Sequence, residues 1–414
     1  MGCRRHLRPT NCNRKIIGAR YYTVGIDHAQ LEKDYLSPRD FNGHDTLTAS
    51  VAAGSIVYGA NFHGLAAGVA RDGAPRDGAP RARLAMYKVV WASARGNGAT
   101  NNAIILAAVD DAIHDEIDVL SLSLVLPQNN SFGVLHAVVK GVMVVSPAVA
   151  VDLTHTVVGQ GVLSPKVAWF SSRGPALPFP GVLKHDIAAP GVNILGAYSD
   201  GYRLTSGTSL PCLHVSGVVA LLKTLHPDWS HSAIKPTLVL RTTTNGQIDP
   251  NKASDPGQVY DIDPQEYYKF FKCFEGQFSI SDQELEPVYN LNLPAISVPD
   301  LIDAKTVGRM VTNIGKADAM YKVSIESSSG VKMIVAPSTL VFDVGAKVQS
   351  FKVTFMAIHK LQGNYVFGSL TWSDGEGHAV MITIFSTLFN LPSLSALDLR
   401  FQFIPYWSPK SQSS

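Results

Sequence analysis

Ser206-Gly207-Thr208-Ser209-Leu210-Pro211-Cys212-Leu213 opens into an apolar run from His214 to Leu225. Small and hydroxylated residues leading into apolar residues at helical spacing predict a loop that becomes a buried helix. A serine at such a junction can act as a nucleophile. The helix N-terminus offers free N–H groups and partial positive charge to a developing oxyanion. The plain alternative is that Ser209 only caps the helix, and the motif alone leaves both readings open.

Outward from that stretch, Ala103–Ile113 has helical spacing, Asp118–Leu126 reads as a buried strand, and Val142–Val145 as another. Strands alternating with helices predict an α/β fold with a parallel sheet up to about residue 250. Beyond about residue 290 the texture changes. Tyr321, Val323 and Ile325 alternate with polar residues, as do Phe351, Val353 and Phe355. Such period-2 runs, broken by Gly, Pro and Asn, predict an antiparallel β-sandwich. Arg71-Asp-Gly-Ala-Pro75 is repeated at once as Arg76 to Pro80, a tandem copy too short for a solenoid that reads as a slipped duplication in a surface loop.

Composition narrows the classes. Of 414 residues 46% are hydrophobic, enough for a sizeable core, and only 16% are charged. The formal charge is +2 with no long basic run, so no nucleic-acid partner is expected. No uncharged apolar run is long enough for a transmembrane helix, so no membrane partner is expected. The N-terminus lacks an apolar signal-peptide core. Cys3, Cys12, Cys212 and Cys273 are too few and too scattered for a disulfide framework, and no C-x-x-C pair is present. His63, His114, His136 and His155 lack metal-ligand spacing, and neither metal nor cofactor is expected. Asn129-Asn130-Ser131 is a glycosylation sequon.

Several motifs resemble those of plant subtilisin-like serine proteases, the subtilases. Gly207 to Gly217 is similar to G-T-S-M-A-C-P-H-V-S-G, with Ser209 at the nucleophile position. Gly43-His44-Asp45-Thr46-Leu47-Thr48-Ala49-Ser50 resembles G-H-G-T-H-T-A-S, with His44 at the general-base position. Phe170 to Pro175 matches F-S-S-R-G-P, and Asp186 to Leu195 matches D-I-x-A-P-G-V-N-I-L. Val311 to Gly315 and Gly368 to Asp374 resemble signatures of the family's fibronectin-III-like domain. The resemblance implies acyl transfer on a peptide or protein substrate: His44 takes the Ser209 proton, a buried Asp holds the imidazole, and an Asn amide binds the oxyanion. It implies Ser123, Leu124 and Val125 as the substrate-binding strand, a monomer, and secretion to the apoplast despite the absent signal peptide.

The sequence also departs from the family. The catalytic Asp belongs in a V-x-D-[ST]-G-like strand upstream of the point where this sequence begins. Asp27 in Val24-Gly25-Ile26-Asp27 is a weak surrogate acid, with Asp34 and Asp40 weaker still. Ala150 falls where the oxyanion Asn belongs, Asp45 replaces a glycine beside His44, Val125 replaces a glycine in the substrate strand, and Pro236 interrupts a helix from Ser230. The family's protease-associated insert is missing before Phe170. A missing Asp strand would leave its neighbours with unpaired backbone groups. The expected organisation is a partial subtilisin-like peptidase domain over 1–254, a connector over 255–289, a fibronectin-III-like domain over 290–386 and a tail over 387–414. The expected function is a serine endopeptidase that is impaired or inactive. A non-catalytic relative that binds peptides, or a fragment from a degenerate gene, stays open as the alternative.

Overall fold

The computed structural model describes residues 12–70, 78–92, 98–124, 131–147, 149–152, 166–171, 181–184, 186–240, 247–268, 288–299, 301–328, 330–358 and 365–387. Val125, Asn129, the Ser172–Pro175 part of F-S-S-R-G-P, most of the tandem duplication, much of the connector and the tail lie outside them.

The first half runs β1 (Ile16–Tyr21), α1 (His28–Leu31), α2 (His44–Ala53), β2 (Val57–Phe62), β3 (Leu65–Ala70), β4 (Leu84–Lys88), α3 (Asn102–His114) and β5 (Val119–Ser121). It continues α4 (Ser131–Val139), β6 (Met143–Val145), β7 (Val149–Asp152), β8 (Lys166–Val167), β9 (Ala188–Pro190), β10 (Ile194–Tyr198) and β11 (Gly201–Thr205). Three helices close it: α5 (Ser209–Leu225), α6 (His231–Leu240) and α7 (Pro250–Ser254).

Among the described residues of this half the parallel pairs are β1 with β4, β5 with β6, and β7 with β9. Among the described residues no hydrogen-bonded register joins β4 to β5, so the parallel sheet is divided there. Side chains bridge it: Val89, Trp91, Leu120 and Leu122 share one core with Ile104, Ile105, Ala108 and Val109 of α3. Of the predicted strand over Asp118–Leu126, the described residues form a strand at Val119–Ser121, where β6 is the partner among the described residues. Pro236 lies inside α6 rather than ending it. The missing N–H removes one backbone bond, and the apolar face against α5 and α7 carries the helix through.

The second half is a sandwich of β12 (Gln258–Val259), β13 (Ala295–Val298), β14 (Ala304–Asn313), β15 (Ala319–Glu326), β16 (Val331–Ala336), β17 (Thr339–Phe342), β18 (Val348–Ala357), β19 (Tyr365–Ser373) and β20 (Ala379–Thr387). One sheet has the order β12-β14-β18-β16 and the other β13-β20-β19-β15-β17. Val307, Val311, Phe351, Val353 and Phe355 of the first sheet meet Tyr321, Leu340, Phe342, Leu370 and Trp372 of the second. The period-2 reading holds at Tyr321 but fades along β15, where Ile325 is exposed. Arg309 is buried among apolar residues, and its guanidinium donates to the carbonyls of Tyr289, Leu293 and Ala295.

The halves are joined just after α7. Gly257 O accepts from Ile314 N and Gly315 N, and His378 lies between two carboxylates, Nδ1 at 2.6 Å from Asp374 Oδ2 and Nε2 at 3.2 Å from Asp255 Oδ2. The bond to Asp374, helped by Asp255, raises the His378 pKa above its ordinary 6.5. A group raised on folding stabilises fully below its unfolded value and loses that contribution as pH climbs through the folded one. His378→Gln should therefore lower the melting temperature most between about pH 5 and 6, and the deficit should shrink as pH rises past the neutral range. A deficit that grows with pH would contradict the clasp.

Candidate active site

Helix α5 is the support of the site. Leu210, Cys212, Leu213, Val215, Val218, Val219 and Leu222 are all buried, which fixes the N-terminal half of the helix in the core. Its first turns are stitched to β5 and β6. Ser216 Oγ lies 2.8 Å from Ser121 Oγ, and Cys212 Sγ lies 3.6 Å from the Val145 carbonyl. Burial pushes the Cys212 thiol up to about 12, against the bonds from Ser121 and Ser216, so this cysteine packs and does not react. Ser209 is the first residue of α5, and Thr208, not Ser209, holds the cap position.

Helix α2 carries His44 as its first residue and docks on α5 through Leu47, Val51, Leu210 and Leu213, with Ile194 of β10 between them. The chain enters α2 through Gly43 at φ +92°, where a Cβ would lie 2.4 Å from the Tyr198 ring, so only glycine fits. Docking sets His44 Nε2 3.2 Å from Ser209 Oγ, across 165 positions of sequence.

The other predicted residues fall in different places. Ser123 Oγ lies 3.4 Å from the Ser209 carbonyl, a long contact, and Leu124 packs half-buried against the core around α3. Val125 is outside the described residues. Asp27 is not brought to the site. It is exposed, caps α1 through Ala29 N at 3.3 Å, and has no hydrogen bond or ion pair to His44 among the described residues. Position 45 does not need glycine's freedom, since Asp45 is helical. Its carboxylate is 3.5 Å from His44 Nδ1, longer than a good hydrogen bond, and both side chains are nearly half exposed. Ala150 is fully buried in β7, its N–H donates to Ser171 Oγ, and its Cβ faces Gly191. It offers no side-chain donor to an oxyanion.

Two residues that sequence reasoning weighed only as surrogate acids organise the loop before His44. Asp34 pairs with Lys88 at 2.7 Å, both side chains at most 5% exposed. Lys88 Nζ also donates to the Tyr35 and Arg39 carbonyls, and Asp34 accepts from Ala92 N. Asp40 accepts from the amides of Asn42, Gly43 and Thr46 and from the Thr46 hydroxyl. Burial alone would raise the Asp40 pKa, but these donors, Thr46 foremost, hold it below 3.8.

Residues 23–257 match the Subtilase family, and residues 290–385 match a Fibronectin type-III domain. Subtilisin-like protease SBT3.10 of Arabidopsis thaliana is 30% identical, with 88% of this chain and 74% of the relative covered. Subtilisin-like protease SBT3.3 of the same plant is 29% identical, with 91% of this chain and 75% of the relative covered. The SBT3.3 alignment runs over 592 positions, more than the 414 residues of this chain, so that relative carries internal stretches with no counterpart here. Solved structures include the Prenylagaramide maturation protease PagA, 18% identical, covering 51% of this chain and 81% of that one, at a TM-score of 0.38. A cold adapted subtilisin-like serine proteinase is 19% identical, covering 52% and 73%, at 0.36. Likeness at those scores carries no argument. The family matches and the relatives do: the chain belongs to the subtilase family of subtilisin-like serine proteases, whose substrates are peptides or proteins.

Lys88→Met should leave the Asp34 carboxylate buried and unpaired, at a cost of about 3–5 kcal/mol. Denaturant unfolding measures this, and Lys88→Met with Asp34→Leu should recover most of the loss. A single variant within about 1 kcal/mol of wild type would show that the pair does not hold this loop.

Proposed function

We propose that the chain is a catalytically impaired serine peptidase in which His44 and Ser209 act as a dyad. The observation that supports this most is the 3.2 Å approach of His44 Nε2 to Ser209 Oγ. In the reaction, Nε2 takes the Ser209 proton as the oxygen attacks a peptide carbonyl. The protonated imidazole then gives that proton to the leaving amine, and water releases the acyl group by the same steps in reverse. Ser123 and Leu124, with Val125, would line the acceptor strand for the substrate backbone.

The impairment follows from two absences in the described site. Among the described residues no carboxylate other than half-exposed Asp45 meets Nδ1. In serine peptidases, loss of the orienting acid lowers kcat by about 10⁴-fold. At position 150 an alanine methyl faces the core, and loss of one oxyanion amide costs roughly 10²–10³. Together these bring turnover near background. The peptidase unit is assigned to 1–254, the connector to 255–289, the fibronectin-III-like unit to 290–386, and the protein to the secreted, extracellular class. Cys12, which is disulfide-bonded, supports that last assignment.

A fluorophosphonate probe and a peptide substrate test the reading together. The probe should label Ser209 slowly and lose that labelling in His44→Ala, while peptide turnover matches Ser209→Ala. Turnover well above Ser209→Ala overturns the impairment. Labelling that ignores His44 overturns the dyad and favours a non-catalytic relative that binds peptides.

A further inference from the structure

Resting on the His44–Ser209 pairing proposed above, we infer that Asp40 is the positioning residue for the general base. His44 is the first residue of α2, and the cap position before it is Gly43, which has no side chain with which to cap. The helix that presents the base therefore lacks an ordinary cap, and the first N–H groups need another acceptor. Asp40 supplies it from four residues upstream.

The two carboxylate oxygens bracket His44. Oδ1 accepts from Asn42 N at 3.0 Å and Gly43 N at 2.8 Å, on the side before the histidine. Oδ2 accepts from Thr46 N at 2.7 Å and Thr46 Oγ1 at 2.7 Å, on the side after it. The imidazole's direction is set by backbone that one side chain holds at both ends. Asp40 is itself grounded, because the carbonyl of Arg39 accepts from the buried Lys88 Nζ at 2.9 Å, at the end of β4.

This arrangement separates positioning from proton transfer. Each Asp40 oxygen already accepts two bonds, so Asp40 does not take the imidazole proton. The carboxylate that is near Nδ1, Asp45, sits at 3.5 Å, half exposed, and orients weakly. The base is held through its backbone.

The experiment uses the full chain with ¹³C-labelled histidine, the His44 ring signal being assigned by its loss in His44→Gln. In Asp40→Ala the His44 signal should shift or broaden while the other histidines stay in place. The fluorophosphonate labelling rate at Ser209 should fall about five- to thirty-fold. Asp40→Asn keeps one acceptor oxygen and should lie between. The control is Asp249→Ala, which removes a cap of the same kind on α7, where Asp249 accepts from Lys252 N. It should lower the melting temperature and leave both readouts unchanged. Unchanged readouts in Asp40→Ala, or equal changes in Asp249→Ala, overturn the inference. Should wild-type labelling prove independent of His44, the dyad falls and the ring signal alone decides for or against Asp40. Should Asp40→Ala not fold, Thr46→Val removes one bond of the bracket and should shift the His44 signal in the same direction by less. No shift there overturns the inference as well.

Discussion

The apolar contact of α2 with α5, Leu47 and Val51 against Leu210 and Leu213, is the interaction on which the site depends. Nothing local brings His44 to Ser209. Each is fixed to its own helix, at the first turn, and the helices are locked by side chains that are at most 2% exposed. Burying four such side chains is worth roughly 1.5–3 kcal/mol each. That is several times what a half-exposed hydrogen bond between a histidine and a serine contributes. Packing therefore makes the His44–Ser209 contact, and the contact does not make the packing. The pair can persist although the parallel sheet beneath it is divided between β4 and β5.

Much of this was legible in the sequence, and the reasons differ by element. The helical spacing of Ala103–Ile113 lies within a residue of α3 at each end, because apolar spacing is a local signal; the Asn101 cap is seen only in the structure. The sandwich was legible from alternation at Phe351, Val353 and Phe355. Ser209 and His44 were legible because each sits in a motif at a helix start. What escaped are pairings across the chain. The Asp34–Lys88 pair joins residues 54 positions apart, and no local pattern announces it. Asp40 read as a weaker surrogate acid, since three of its four donors are backbone N–H groups, and those leave no trace in residue identity. The signal that could have found it is local: an acidic residue just ahead of a glycine that opens a helix. Pro236 misled in the opposite sense, because burial of the rest of α6 outweighs one missing bond.

The chemistry divides along the same line. Groups held by helix packing, His44 and Ser209, remain in register. At the places that depend on a strand or loop, the carboxylate beside His44 Nδ1 among the described residues is that of half-exposed Asp45, and position 150 points an alanine methyl at Gly191 in the core. On the proposed reading, Ser209 has a neighbour able to accept its proton, half-exposed Asp45 orients that neighbour weakly, and position 150 offers the oxyanion no side-chain donor. Preorganised donors and charges supply most of the rate enhancement in such catalysis, so a near-intact dyad is compatible with turnover close to background. The β-sandwich carries a continuous core of its own and is tied to the peptidase half through Gly257 and His378.

A crystal structure of the purified chain tests the central claim most directly, because the claim is geometric. Helix packing alone should bring His44 Nε2 within about 3.5 Å of Ser209 Oγ, with Leu47 and Val51 seated on Leu210 and Leu213. A structure in which α2 is folded but the two side chains lie more than roughly 10 Å apart, about three times hydrogen-bond reach, would contradict it.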